Sequence, residues 1–116
     1  VLHAVCAGEG RPLVFIVGLG GRAEFWQPQF DAFAPTRRVI SFDHRGTGRS
    51  AASDGPQSAA DLARDTLAML DALGVGEADV VGHSMGGAIA QNLALMAPER
   101  IGKLVLSATW RQPTPL

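Results

Sequence analysis

Residues 13–17 read Leu-Val-Phe-Ile-Val, five consecutive apolar side chains, most of them β-branched or aromatic. A strand turns successive side chains to opposite faces, so this run has no polar face to offer water and must be covered on both sides. It therefore predicts a central parallel strand. A second buried strand is expected at Arg38–Phe42, with Val39-Ile40-Ser41-Phe42, and a last one at Lys103–Ser107. Asp79-Val80-Val81 is a short strand that runs straight into Gly82. Between these runs the apolar spacing turns helical. Glu24–Ala34 carries Phe25, Trp26, Phe30 and Phe33, with Pro28 near its beginning. Ser58-Ala59-Ala60-Asp61 has the form of a capping box ahead of Leu62, Thr66, Leu67, Met69, Leu70 and Leu73, and Gly74 and Gly76 end that helix. Ala88–Ala97 is a third helix, stopped by Pro98. Val1–Ala7 alternates loosely, as a strand does, and Gly8-Glu9-Gly10-Arg11-Pro12 predicts a hairpin-like turn after it. Strands alternating with helices in this way predict an α/β fold, a mostly parallel sheet sandwiched by helices.

Bulk properties narrow the function by exclusion. The chain has 116 residues, the size of one domain, with 47% hydrophobic and 18% charged side chains. Ten basic against eleven acidic residues leave a net charge of -1, which provides no global field for nucleic acid or an anionic membrane. Small neutral molecules are the expected partners. Cys6 is the sole thiol, so no intrachain disulfide forms, and a reducing, cytoplasmic compartment is expected. No paired Cys/His spacing suggests a metal, and no cofactor is expected. No apolar run approaches the roughly 20 residues of a membrane-spanning helix.

The chemistry concentrates in Gly82-His83-Ser84-Met85-Gly86-Gly87. Glycines two residues to either side of Ser84 permit a tight strand-to-helix turn that projects the hydroxyl into a cleft, where bulkier neighbours would collide. The helix that follows points its free N–H groups and positive dipole end at the same place, where an oxyanion would develop. Ser84 is therefore the candidate nucleophile and the Met85 amide the first candidate oxyanion donor. The loop Gly18-Leu19-Gly20-Gly21, after the 13–17 strand, is expected to supply the second from the Leu19 amide. Gly18, Gly20, Gly82, His83 and Gly86 are expected to support this elbow and loop.

These residues resemble the α/β-hydrolase superfamily, in particular its small bacterial esterase and lactonase group, which includes 3-oxoadipate enol-lactonase and aminoacrylate hydrolase. The resemblance rests on Gly18–Gly21, on Phe42-Asp43-His44-Arg45-Gly46-Thr47-Gly48-Arg49-Ser50, on Gly82–Gly87 and on Ala97-Pro98-Glu99-Arg100-Ile101. It implies hydrolysis of a carboxylic ester or lactone through an acyl-enzyme. Many relatives carry His where Val17 stands before the glycine loop. Relatives with dehalogenase or epoxide hydrolase activity carry Asp at the Ser84 position, and Ser84 argues against both. The resemblance also implies that the chain is the N-terminal portion of the fold, about its second to sixth strand, with 1–109 the partial core and 110–116 the start of a lid.

In this fold the triad runs Ser, then Asp or Glu, then His. His3, His44 and His83 all fail that order, and after Ser84 the chain has no His and no acid except Glu99. His83 is expected to pack, His44 to have a structural or rim role, and Glu99 to be a solvated or loop-bracing side chain. The catalytic acid and His are expected beyond Leu116, and the 116-residue chain alone is expected to be inactive. Its exposed sheet edge at Leu104-Val105-Leu106 is expected to favour homo-oligomerisation or aggregation. Other readings are a cofactor-free haloperoxidase or C–C bond hydrolase using the same site, and a noncatalytic binding module of the same fold. A more distant one is a dinucleotide-binding domain, because Gly18–Ala23 fits G-x-G-x-x-A with Asp43 ending the next strand. Phe25, Trp26 and Pro28 stand against it, since small residues and an unbroken first helical turn are expected there.

Overall fold

A computed structural model of the protein describes residues 2–18, 21–47, 50 and 58–109. Its strands are β1 (Ala4–Ala7), β2 (Arg11–Ile16), β3 (Arg37–Phe42), β4 (Ala78–His83) and β5 (Ile101–Ser107). They form one sheet in the spatial order β1-β3-β2-β4-β5. β2 pairs in parallel with both β3 and β4, and β4 pairs in parallel with β5. The helices are α1 (Gln27–Phe33), α2 (Ala59–Ala72) and α3 (Met85–Met96).

The apolar run at 13–17 behaves as its alternation requires. Leu13, Phe15 and Val17 pack on one face with Trp26, Phe30 and Val39, beneath the α1 segment. Val14 and Ile16 face the other way, into a cluster with Ile40, Phe42 and Val80 and the inner faces of α2 and α3. None of the five is more than 6% exposed. On the α1 side the Phe15 ring stacks on Trp26, with centroids 4.8 Å apart.

Two expectations are corrected. The turn at Gly8–Gly10 does not close a hairpin between neighbours, because β1 pairs antiparallel with β3 (Ala4↔Phe42, Ala7↔Val39) and β3 separates it from β2. β2, buried from Leu13 to Ile16, takes parallel partners on both of its edges, which leaves the short, partly exposed β1 for the sheet margin. The helix expected over 24–34 is split into a 3-10 turn, Ala23–Trp26, and α1. A continuous α-helix would need an N–H from Pro28 to the Glu24 carbonyl, and proline has none. In the first turn of α1 the missing donor has no intrahelical acceptor to lose.

The capping box forms. The Ser58 hydroxyl accepts from Asp61 N–H at 3.1 Å, and the Asp61 carboxylate accepts from Ser58 N–H at 3.0 Å. α2 ends as Gly74 takes φ +72° and the Val75 N–H returns to the Leu70 carbonyl at 2.9 Å. Because four strands run in parallel, their C-terminal ends share one edge of the sheet. Val17-Gly18, Asp43-His44, Ser84 and Thr109 therefore all emerge there, the edge at which open α/β sheets bind ligands.

Candidate active site

Ser84 lies between β4 and α3 with φ 56° and ψ -122°. A side chain at positive φ is uncommon, and here surrounding bonds hold it. Its own N–H donates to the Ser107 carbonyl of β5, and its carbonyl accepts from Gly87 N–H, both at 2.9 Å. The flanking glycines are required by contact rather than by flexibility. A Cβ on Gly86 would stand 2.1 Å from the Ile16 carbonyl oxygen, and one on Gly82 would stand 2.5 Å from the Gly86 oxygen. α3 thus begins directly against the backbone of β2, and this places Ser84 beside the loop that leaves β2.

That proximity builds a cleft. A cavity of about 250 Å³ is lined by Val17, Gly18, Gly21, Phe25, His83 and Ser84. A Cβ on Gly18 would lie 3.7 Å from the Ser84 hydroxyl oxygen, so the loop backbone passes close beside it. Met85 is the first residue of α3, and its N–H has no acceptor within its own helix. Leu19 and Gly20 lie outside the described residues, as do 110–116. Gly21 is described, and its N–H closes a turn on the Gly18 carbonyl at 3.2 Å. A larger hollow of about 380 Å³ lies away from Ser84, between β1 and α2, and is lined by apolar side chains with Asp65. Among the described residues, no Ser, Thr, Cys, His or Lys lines it.

None of the three histidines bonds to the Ser84 hydroxyl. His83 is turned aside. Its ring stacks on Phe25 with centroids 5.8 Å apart, and its Nδ1 lies 3.2 Å from the Ser107 hydroxyl. His44 is only 4% exposed, with Nε2 2.8 Å from the Val17 carbonyl oxygen. A carbonyl only accepts, so Nε2 carries the proton. Burial holds the imidazole below its ordinary pKa, and the Val17 carbonyl and the Asp65 and Asp43 charges offset this in part. His3 precedes β1, and its backbone N–H donates to the Ser50 hydroxyl at 2.8 Å. Glu99 is exposed on a 3-10 turn, Pro98–Arg100. Among the described residues, no group of three His, Cys, Asp or Glu side chains is placed to hold a metal ion. No helix among them is long and apolar enough to cross a membrane.

Asp43 also differs from a ribose-binding acid. It is 1% exposed, and its Oδ1 accepts from Ala23 N–H at 2.7 Å. No helix opens at the described glycines 18 and 21; the 3-10 turn begins at Ala23. The dinucleotide geometry is therefore lacking. Phe25 lines the cavity, although the sequence reading gave it only a place in the apolar pattern of the 24–34 helix. It is 53% exposed, because the 3-10 turn rotates it off the face that buries Trp26.

Comparison with known proteins agrees with this fold. A family model described as alpha/beta hydrolase fold matches residues 11–116. A protein of Azorhizobium caulinodans, named as a proposed carbamate hydrolase, RutD, is 48% identical over 103 residues, covering 89% of this chain and 39% of its own. Among solved structures, Est816, titled as an N-acyl homoserine lactone degrading enzyme, superposes with a TM-score of 0.89 at 38% identity, over 93% of this chain and 42% of that one. The enol-lactonase of Burkholderia xenovorans LB400 gives a TM-score of 0.89 at 34% identity, over 93% and 43%. The chain spans about two fifths of the length of the relatives it matches.

Proposed function

Since this chain belongs to the α/β-hydrolase fold family, we propose that Ser84 is the nucleophile of a serine hydrolase acting on a carboxylic ester or lactone through an acyl-enzyme. The observation that carries the reading is the Ser84 backbone, held at φ 56° where strand gives way to helix, with its side chain on the cleft. Strain maintained at one polar residue, by glycines that admit no Cβ, is what a projected nucleophile requires.

The Ser84 hydroxyl attacks the carbonyl carbon while its proton passes to a histidine supplied from outside these 116 residues, oriented by an acid also supplied from outside. Negative charge gathers on the former carbonyl oxygen, which the Met85 amide and, from the β2 loop, the Leu19 amide receive. Collapse of the tetrahedral adduct, with the histidine returning its proton to the leaving oxygen, breaks the bond to that oxygen and releases the alcohol, or opens the lactone ring. Water then attacks the acyl-serine and frees the acid. The lactone-degrading and carbamate-named relatives share a carbonyl joined to a heteroatom leaving group, and this is the group the site would take.

In the full-length protein that carries this chain, Ser84→Ala is expected to abolish covalent labelling by a fluorophosphonate. Turnover of a panel of small esters, lactones and carbamates is expected to fall by several powers of ten. Undiminished labelling of the variant would overturn the assignment.

A further inference from the structure

The backbone beside Ser84 is held on both sides of its loop by two adjacent residues, Asp43 and His44, that follow directly on strand β3. Before it, the Val17 carbonyl accepts the His44 Nε2 proton at 2.8 Å. After it, Ala23 N–H donates to Asp43 Oδ1 at 2.7 Å, and the Ala23 carbonyl accepts from the Ser41 hydroxyl at 3.1 Å. All three bonds are buried. The Asp43 backbone is itself fixed, since its N–H donates to the His3 carbonyl at 2.9 Å and its carbonyl accepts the Ser50 hydroxyl proton. Arg45, next in line, forms an ion pair with Asp65 of α2. The segment 43–45 is thus anchored to the body of the protein while it grips the loop.

We infer that Asp43 and His44 form a positioning clamp, which holds Val17 and Ala23 in place and so sets the distance between the Gly18 backbone and the Ser84 hydroxyl. The inference rests on the nucleophile reading above. A glycine-rich loop has many accessible conformations, and an oxyanion site works only when its donors are fixed before charge develops. His44 and Asp43 provide that fixation without touching the cleft, for neither lines it. Their effect therefore belongs to the transition state. Loss of the clamp slows the chemical step and leaves ground-state binding nearly unchanged.

The test uses isosteric pairs in the full-length protein. His44→Gln places an amide nitrogen near the Nε2 position and His44→Asn near the Nδ1 position, out of reach of Val17. Asp43→Asn keeps an acceptor for Ala23, and Asp43→Ala removes it. Expected are a fall in kcat of about 10- to 100-fold for His44→Asn and Asp43→Ala with KM within about twofold, a similar loss of affinity for a tetrahedral boronate, and recovery of most activity in His44→Gln and Asp43→Asn. Hydrogen exchange across residues 17–26 is expected to quicken in the two disrupted variants alone, a readout that does not depend on catalysis. If Asp43→Ala does not fold, the His44 pair decides. Equal kcat and equal exchange in His44→Asn and His44→Gln would overturn the clamp. So would KM and kcat changing in parallel with thermal stability. Ser84→Ala run alongside separates the two readings: wild type that labels only through Ser84, with indifferent His44 variants, removes the clamp and keeps the nucleophile. If wild type does not label at all, the nucleophile falls and the exchange rates judge the clamp alone.

Discussion

Within the elbow, Ser84 is the proposed nucleophile, but the atoms that make its position possible belong to residues with no side chain. Gly86 touches the Ile16 backbone so closely that an added Cβ would stand 2.1 Å from its carbonyl oxygen, a contact that rotamer adjustment cannot relieve. Gly86→Ala is therefore expected to cost about 1–3 kcal/mol or more and to lose Ser84 labelling as β2 and α3 are forced apart. Gly76, where an added Cβ meets nothing within 4 Å, is the control. Gly76→Ala is expected to change stability by about 0.5 kcal/mol or less, and urea unfolding of both variants checks the contrast. The Gly-x-Ser-x-Gly spacing was legible in the sequence because contacts this close leave only one residue type. The roles of Asp43 and His44 were not legible, because their partners, Ala23 and Val17, are 20 and 27 residues away and are engaged through backbone atoms that any residue would offer.

Elements are joined at the opposite edge of the sheet by a single carboxylate. Asp79, near the start of β4, accepts from Arg11 Nε and Nη2 at 3.0 Å each, from Arg37 Nη2 at 2.8 Å and from Lys103 N–H at 2.7 Å. It thereby links β2, β3 and β5 to β4. The β4–β5 register slips here, with Ala78 opposite Ile101 but Val80 opposite Leu104. The carboxylate receives the Lys103 N–H at that irregularity. Hydrogen bonding from Arg11, with help from Lys103 N–H and Arg37, holds Asp79 well below the usual carboxylate range and outweighs its desolvation. A carboxylate with a depressed folded pKa contributes stability that is present above its unfolded pKa, about 3.9, and is lost as pH falls toward the folded value. Asp79→Asn is accordingly expected to lower the urea midpoint most at neutral pH, with the gap to wild type closing as pH falls below about 4. A gap independent of pH would show that Asp79 contributes shape rather than charge. At this scale the sequence reading was good for strands and for the Ser58–Asp61 box, because those signals are local, but it opened the third helix at Ala88, where α3 already begins at Met85. It erred at the β1 turn, where neighbouring strands decided the outcome, and at Pro28, where the missing N–H splits the expected helix.

For the molecule as a whole, the sheet is covered unevenly. Its centre is buried between α1 and the α2–α3 pair, while β5 pairs only with β4 among the described residues and leaves Leu104, Val105 and Leu106 at 37%, 54% and 40% exposure. An apolar strand with an open edge is a template for another strand. The isolated 116-residue polypeptide is expected to self-associate, and light scattering from a clean monomer at high concentration would count against this. Taken alone, the order of residues determined the alternation of strand and helix, the burial of 13–17 on both faces and the position of the turn that carries Ser84, since each follows from side-chain period or from contact too tight for a Cβ. Only the tertiary structure decided which strands are neighbours, that Phe25 faces the cleft, and that Asp43 and His44 grip the loop beside Ser84. Those outcomes depend on backbone groups distant in sequence, whose pairing is selected by the packing of the whole sheet and leaves no local pattern.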